Sequence, residues 1–283
     1  MIYLPVLGAL ALGVGTIIQK TILNKRKIDI KLYQTIEFLA IVGAMLPFIY
    51  FFWGFNSEAF ELKNIFILVL VIGFSIIANL FVFYSMKWEK VTRLEPAKIL
   101  EPLFTVLLAI VFSFFFSEMF ERELHVIIPT IIAVGALLFA NVRKHHLRFN
   151  KYMIAAVLGS FFFALELVLS KLILNFYSPM TFYLFRCVGI LAFSLIFFKH
   201  KFSNVDKKSA WLVGILGFVW VTYRVFVYYG YLMLGVTFTT LLILLGPVFV
   251  YLFAWIFLKE KINWRNIIAS VVIVASVLYV VLG

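Results

Sequence analysis

The sequence predicts an all-α membrane protein, ten transmembrane helices arranged as two inverted five-helix repeats. Three observations predict it: the composition, the spacing of the charged clusters, and a weak internal repeat. Of 283 residues, 65% are hydrophobic, 19% aromatic and only 13% charged, about half the charged fraction of a soluble domain. Mean hydropathy is +1.10 and no polar block of domain size interrupts it, so the outer surface must face lipid. A soluble globule is excluded.

Cutting the chain at its charged clusters leaves apolar segments of about 19 to 24 residues, each able to cross about 30 Å of hydrocarbon as a helix. They run approximately 4–23, 32–52, 64–86, 95–116, 124–142, 151–174, 179–198, 210–232, 236–258 and 264–282. A transmembrane barrel needs shorter alternating strands, and runs such as Ile65 to Ile72 or Val271 to Val281 do not alternate. Met1, Ile2 and Tyr3 open the chain without a basic region, so the first span is expected to stay in the mature protein.

The loops after spans 1, 3, 5, 7 and 9, taken with the flanking Lys151 and Arg265 at the starts of spans 6 and 10, carry 18 Lys and Arg, among them Lys25, Arg26, Lys27, Arg143, Lys144, Lys207, Lys208 and Lys259. Those after spans 2, 4, 6 and 8 carry only Lys63 and Arg122. This bias places the odd-numbered loops in the cytoplasm and both termini outside. It also accounts for the net charge of +12 without nucleic acid. Cys187 is the one cysteine, which excludes a disulfide framework and a multi-cysteine metal site.

The second half of the chain repeats the first weakly. Gln19-Lys20-Thr21-Ile22-Leu23-Asn24 matches Ser170-Lys171-Leu172-Ile173-Leu174-Asn175. Phe83-Tyr84-Ser85-Met86 matches Tyr228-Tyr229-Gly230-Tyr231, and Glu101-Pro102-Leu103-Phe104 matches Gly246-Pro247-Val248-Phe249. The repeats are residues 1–142 and 151–283. Five spans per repeat force opposite orientations, and the loop charges agree: four cations follow span 1 and none its counterpart, span 6. Inverted repeats of this kind build secondary transporters around a midplane site.

Leu94-Glu95-Pro96, Glu101-Pro102, the acidic loop at Ser117-Glu118, its repeat partner Leu258-Lys259-Glu260-Lys261, and Gly246-Pro247 together resemble the drug/metabolite transporter superfamily, of the EamA type. The resemblance covers the whole chain. It implies a carrier for a small metabolite, with a central cavity lined mainly by spans 1, 3, 4, 6, 8 and 9. Spans 2 and 7 are more peripheral in such proteins, so Glu37 and Arg186, which occupy matching repeat positions with opposite charge, are expected to be structural.

Charges within spans are costly and should face protein or water. Arg224 sits near the middle of span 8, and its repeat partner is Asn79. Trp220, Arg224 and Tyr228 share a helical face, so Arg224 with Asn79 is read as orienting an anionic substrate group. Trp220, Tyr223, Tyr228 and Tyr84 would line the path; the alternative is a static ion pair amid ordinary aromatic packing. In span 4, Glu95, Lys98 and Glu101 follow at i, i+3 steps, so Lys98 can pair with either carboxylate. Pro102 and Pro247 should bend spans 4 and 9 alike. Glu166, in a Phe and Leu run of span 6, is an expensive carboxylate unless paired. Glu166 or Glu101 is read as the proton-coupling group, with static pairing to Arg224, Lys98 or Lys171 as the alternative. Lys20 and Lys171 lie near span ends, where snorkelling is the default.

His145-His146 lacks a third ligand, and Gly13-Val14-Gly15 lacks a phosphate-loop context and reads as close helix packing. No metal site, cofactor or enzyme chemistry is expected. The sequence thus reads as a secondary transporter, an exporter or exchanger, of a small polar or amphipathic metabolite such as an amino acid. It would work by alternating access, with protons as coupling partner and membrane lipid as surroundings. The alternative is a protein that translocates lipid or lipid-linked intermediates.

Overall fold

The computed structural model of the chain describes residues 2–23, 28–89, 94, 97, 99–117, 119–120, 123–141, 150–198, 202–258 and 264–282. Its helices are α1 (Tyr3–Leu23), α2 (Ile30–Phe52), α3 (Leu62–Trp88), α4 (Leu100–Ser113), α5 (Leu124–Asn141), α6 (Lys151–Leu174), α7 (Pro179–Phe197), α8 (Lys207–Met233), α9 (Val236–Ile243), α10 (Leu245–Leu258) and α11 (Trp264–Leu282). No strand forms among the described residues; an isolated bridge joins Phe55 to Tyr177. Seven helices, α1–α3, α6–α8 and α11, are long and apolar enough to cross a membrane. The chain is an integral, multi-pass membrane protein, and α4, α5 and α9 with the start of α10 are shorter apolar helices.

Local chemistry sets the helix ends. Asp29 caps α2 by accepting from Lys31 N, Asn150 caps α6 by accepting from Tyr152 N and Met153 N, and Ser178 caps α7 ahead of Pro179, each satisfying backbone donors that a helix start leaves open. Gly235, at φ 77°, turns α8 into α9 through a conformation that side chains disfavour. Pro247 lacks an N–H and its ring clashes with the carbonyl four residues back, that of Ile243, which is where α9 ends. Pro102 repeats the arrangement: the chain is helical at Leu94 and Ala97, turns at Ile99 and resumes as α4 with Pro102 its third residue, just as it turns at Leu244 and resumes as α10 with Pro247 its third, so the two prolines interrupt their spans alike and each sits in a first turn where a missing N–H costs nothing. Glu95, Lys98, Glu118, Lys259, Glu260, Lys261 and His145-His146 lie outside the described residues.

The packing comes in related pairs. Helix α1 runs along α8 as α3 runs along α6, and α4 packs on α6 as α10 packs on α1, while α2 meets α7 and α5 meets α11. Glycines close the two longest seams. A Cβ on Gly8 would lie 3.5 Å from Tyr223 O, and one on Gly159 would lie 3.3 Å from Ala78 O. Gly8 relates to Gly159, and Ala78 to Tyr223, by the same offsets that relate Lys20 to Lys171 and Met86 to Tyr231. The lysines follow suit: Lys20 Nζ donates to Met86 O, and to Glu89 O at 2.8 Å, and Lys171 Nζ donates to Tyr231 O at 2.7 Å. Lys171 is buried, so both lysines bind helix ends instead of snorkelling, because a C-terminal carbonyl is a better partner for a cation than lipid.

Connections also group by side. The turn after α2 joins the turn after α6 through Asn56 N to Phe176 O and Ser178 N to Gly54 O, both 2.8 Å. Opposite them, Lys87 at the end of α3 donates to Ile28 O, before α2, and Asn150, before α6, donates to Glu89 Oε2 at 3.2 Å, after α3.

Gly217 tests the tightness of this packing, since a Cβ there would come within 2.7 Å of Ala40 O. Gly217→Ala should force α2 and α8 apart at a cost of about 1–3 kcal/mol, lowering the melting temperature in detergent by about 4 °C or more. Gly43→Ala, which meets nothing within 4 Å, should melt like the parent protein.

Candidate functional site

A carboxylate in the middle of an apolar helix survives only if the fold brings cations to it. Glu166, on α6, is fully buried, and two arginines from different helices converge on it. Arg186 Nε, on α7, lies 3.3 Å from Glu166 Oε1, and Arg224 Nη1, on α8, lies 3.6 Å from Oε2. Tyr228 donates its hydroxyl to Oε1 at 3.1 Å, and Ser170, one turn along α6, does the same at 3.1 Å.

The two arginines are held differently. Arg186 also donates from Nε to Ser75 Oγ at 2.8 Å and from Nη1 to Tyr228 OH at 2.9 Å, tying α3, α7 and α8 to Glu166. Arg224 lies over the rings of Phe163 and Tyr223, 5.5 and 5.3 Å from their centres. Its Nη1 and Glu166 Oε2 face each other without a hydrogen bond. One carboxylate thus serves two guanidiniums, and Arg224 is the looser partner.

Next to this cluster lies a cavity of about 200 Å³, bounded by α1–α10. Gln19, Glu37, Asn79, Glu101, Arg186, Trp220, Tyr223 and Arg224 supply its principal polar and aromatic faces; Phe38, Ile41, Phe163 and Tyr183 supply much of its apolar wall. Along α1, α2 and α3 the lining gives way to the buried apolar cluster of Ile22, Leu23, Leu32, Tyr33, Phe83 and Met86. In the other direction, along α6, α7 and α8, it gives way to one containing Leu174, Phe182, Tyr228 and Tyr231. The site therefore occupies the middle of the bundle.

The placements differ from the expectations in three ways. Arg224, Asn79, Trp220 and Tyr223 line the cavity, but Tyr228 and Tyr84 do not: Tyr228 turns to the Glu166–Arg186 pair, and Tyr84 packs its ring on Tyr152. Of the two carboxylates considered for the proton, Glu101 lines the cavity and Glu166 stands behind the arginines, off the lining. Glu37 and Arg186, expected as peripheral structural charges, both reach the cavity. They do not pair with each other: Arg186 takes Glu166, and Glu37 Oε1 accepts from Gln19 Nε2 at 3.2 Å, Tyr33 OH at 2.9 Å and Trp220 Nε1 at 2.8 Å. Spans 2 and 7 join the cavity because α2 packs against α7 beside it. Gln19, Tyr33 and Ser75 went unnoticed as site residues; Tyr33, one turn before Glu37 on α2, could have been found from that spacing, whereas Gln19 and Ser75 come from other helices.

Residues 150–282 match the EamA-like transporter family, a family of membrane transporters. A solved structure described only as "Crystal structure of protein" matches with a TM-score of 0.69 and 16% identity, over 99% of this chain and 95% of that one; at that identity the likeness concerns the fold alone. No curated protein matches the chain.

The unequal grip on the two arginines has a measurable consequence. Arg186→Gln leaves Glu166 with the longer Arg224 contact and should cost about 3–5 kcal/mol. Arg224→Gln leaves Glu166 with Arg186, Tyr228 and Ser170 and should cost at most about 2 kcal/mol. Thermal melts of the two variants should separate accordingly; equal melting temperatures would contradict this division of roles.

Proposed function

We propose that this chain, whose residues 150–282 match the EamA-like transporter family, is a secondary carrier of a small polar or amphipathic metabolite bearing an anionic group, such as an amino acid. The carrying observation is Arg224 on the cavity wall. Glu166 is shared between Arg224 and Arg186, so neither guanidinium has a carboxylate to itself in that cluster. The Glu166–Arg224 contact, at 3.6 Å, is long enough for a substrate carboxylate to better it by hydrogen bonding. Asn79 donates its amide to Ser75 O at 2.7 Å, which fixes its rotamer at the cavity and suits it to orient the same group.

Transport by alternating access asks for two states that bind the substrate differently. Support for two inverted five-helix halves, residues 1–142 and 151–283, comes from the repeat-related packing of α1 on α8 and α3 on α6, from the equivalent glycine contacts, and from the equivalent lysine bonds. The joined turns after α2 and α6, and the links among the segments flanking α2, α3 and α6 on the opposite side, support the topology read from loop charge. In that topology the odd-numbered connections are cytoplasmic and the termini are on the other side. Glu101, on the lining, is the carboxylate suited to carry a coupling proton; Glu166 is the counter-ion that makes two buried arginines tolerable. Trp220 and Tyr223 supply flat apolar walls.

Counterflow in proteoliposomes tests the reading. Preloaded vesicles carrying the protein should accumulate members of a labelled amino-acid pool, and Arg224→Gln should lower the accumulation by about tenfold or more, the loss expected for one charge-assisted bond. Unchanged counterflow by Arg224→Gln would remove Arg224 from the site. Glu101→Gln should retain counterflow and lose uptake driven by a proton gradient.

A further inference from the structure

The two halves of the site share a frame and invert its charge. In the register that aligns the repeats, Glu37 on α2 corresponds to Arg186 on α7, and Trp220 on α8 to Ser75 on α3. Their bonds correspond as well: Trp220 Nε1 donates to Glu37 Oε1 and Arg186 Nε donates to Ser75 Oγ, each at 2.8 Å. A symmetric scaffold therefore presents a carboxylate on one flank of the cavity and guanidiniums on the other.

Glu37 is built as a site and not as half of an ion pair. It is 2% exposed, and among the described residues no Lys or Arg comes within ion-pair distance of it. Its donors, the Gln19 amide, the Tyr33 hydroxyl and the Trp220 indole, are all neutral and all serve Oε1, which leaves Oε2 to the cavity that Glu37 lines. Neutral donors fix the orientation of a carboxylate without cancelling its charge, so a buried group held in this way is completed by a proton or by a cation, and the cavity is the side from which a cation can come. Glu101 is less suited to that task, since it shares its field with Arg224. Gly15 secures the arrangement: a Cβ there would stand 3.0 Å from the Trp220 ring, so the indole lies against bare backbone of α1 and its N–H is aimed at Glu37. Trp220, which holds Glu37, and Arg224 are one turn apart on α8, about 6 Å of rise, so Glu37 and Arg224 border one cavity beside the same stretch of that helix.

We propose that Glu37 and Arg224 form the two poles of a zwitterion site, Glu37 Oε2 taking the ammonium and Arg224 the carboxylate of one ligand, with its apolar remainder against Phe38, Ile41 and Phe163. The Arg224 end rests on the carrier reading above; the Glu37 end is independent of it. The cavity then selects for amine and carboxylate together, and a ligand with only one of them leaves a buried charge unmet.

Thermal shifts of the purified full-length protein with L-leucine, isoamylamine (leucine without its carboxylate) and 4-methylpentanoate (leucine without its amine) separate the poles, because ligands of the folded state raise its melting temperature. At equal concentration leucine should shift wild type most. Glu37→Gln should lose the isoamylamine shift, reduce the leucine shift to that of 4-methylpentanoate and leave the latter unchanged; Arg224→Gln should do the reverse. Glu37→Asp withdraws the charge by one methylene and serves where Glu37→Gln does not fold: its isoamylamine and leucine shifts should fall while that of 4-methylpentanoate stays. Amine and leucine shifts that survive in the Glu37 variants overturn the proposal, while a 4-methylpentanoate shift lost in Arg224→Gln keeps the carrier reading in place. No shift of wild type by any of the three overturns both.

Discussion

The sharing of Glu166 between Arg186 and Arg224 is the constraint around which the centre of this protein is arranged. An unpaired charge amid apolar helices costs several kcal/mol, and a pair recovers that only with good geometry and satisfied neighbours. Arg186 meets both conditions through Ser75 and Tyr228, and so fixes α3, α6, α7 and α8 relative to one another at the same depth. Arg224 meets them incompletely. The same electrostatics that hold the bundle therefore leave one guanidinium on the cavity wall with bonding capacity unspent.

Much of the helical framework was legible because lipid enforces a simple rule: an apolar segment of crossing length, bounded by charge, is a helix. The expected bounds 151–174, 179–198 and 264–282 fall within a residue of α6, α7 and α11. Pro247 was legible as a break since its clash with Ile243 is local. Pro102 was legible in the same way, since the turn at Ile99 before α4 matches the turn at Leu244 before α10.

The site was legible in part, for a related reason. Periodicity put Trp220 and Arg224 on one face, yet the same periodicity put Tyr228 there, and the difference is tertiary: Glu166 and Arg186 draw the Tyr228 hydroxyl away from the cavity. Glu166 and Glu101 looked alike in sequence, each a carboxylate within an apolar span, and only the convergence of α7 and α8 separates a buried counter-ion from a cavity group. Glu37, expected at the periphery, lines the cavity. Its meaning lies in three donors from α1, α2 and α8, none predictable singly, although its charge-inverted match with Arg186 was visible in the repeat.

Gly8 and Gly159 let the α1–α8 and α3–α6 seams close until a backbone carbonyl of the facing helix, with a side chain beside it, stands where a Cβ would reach. Interlocked rows of leucines behave like gear teeth, which must climb over one another when helices slide. Where backbone rests on backbone there are few teeth, and the surface acts more like a bearing. A side chain at either glycine would add a tooth to its seam, and the lysine bonds from α1 to α3 and from α6 to α8 tie the helices on either side.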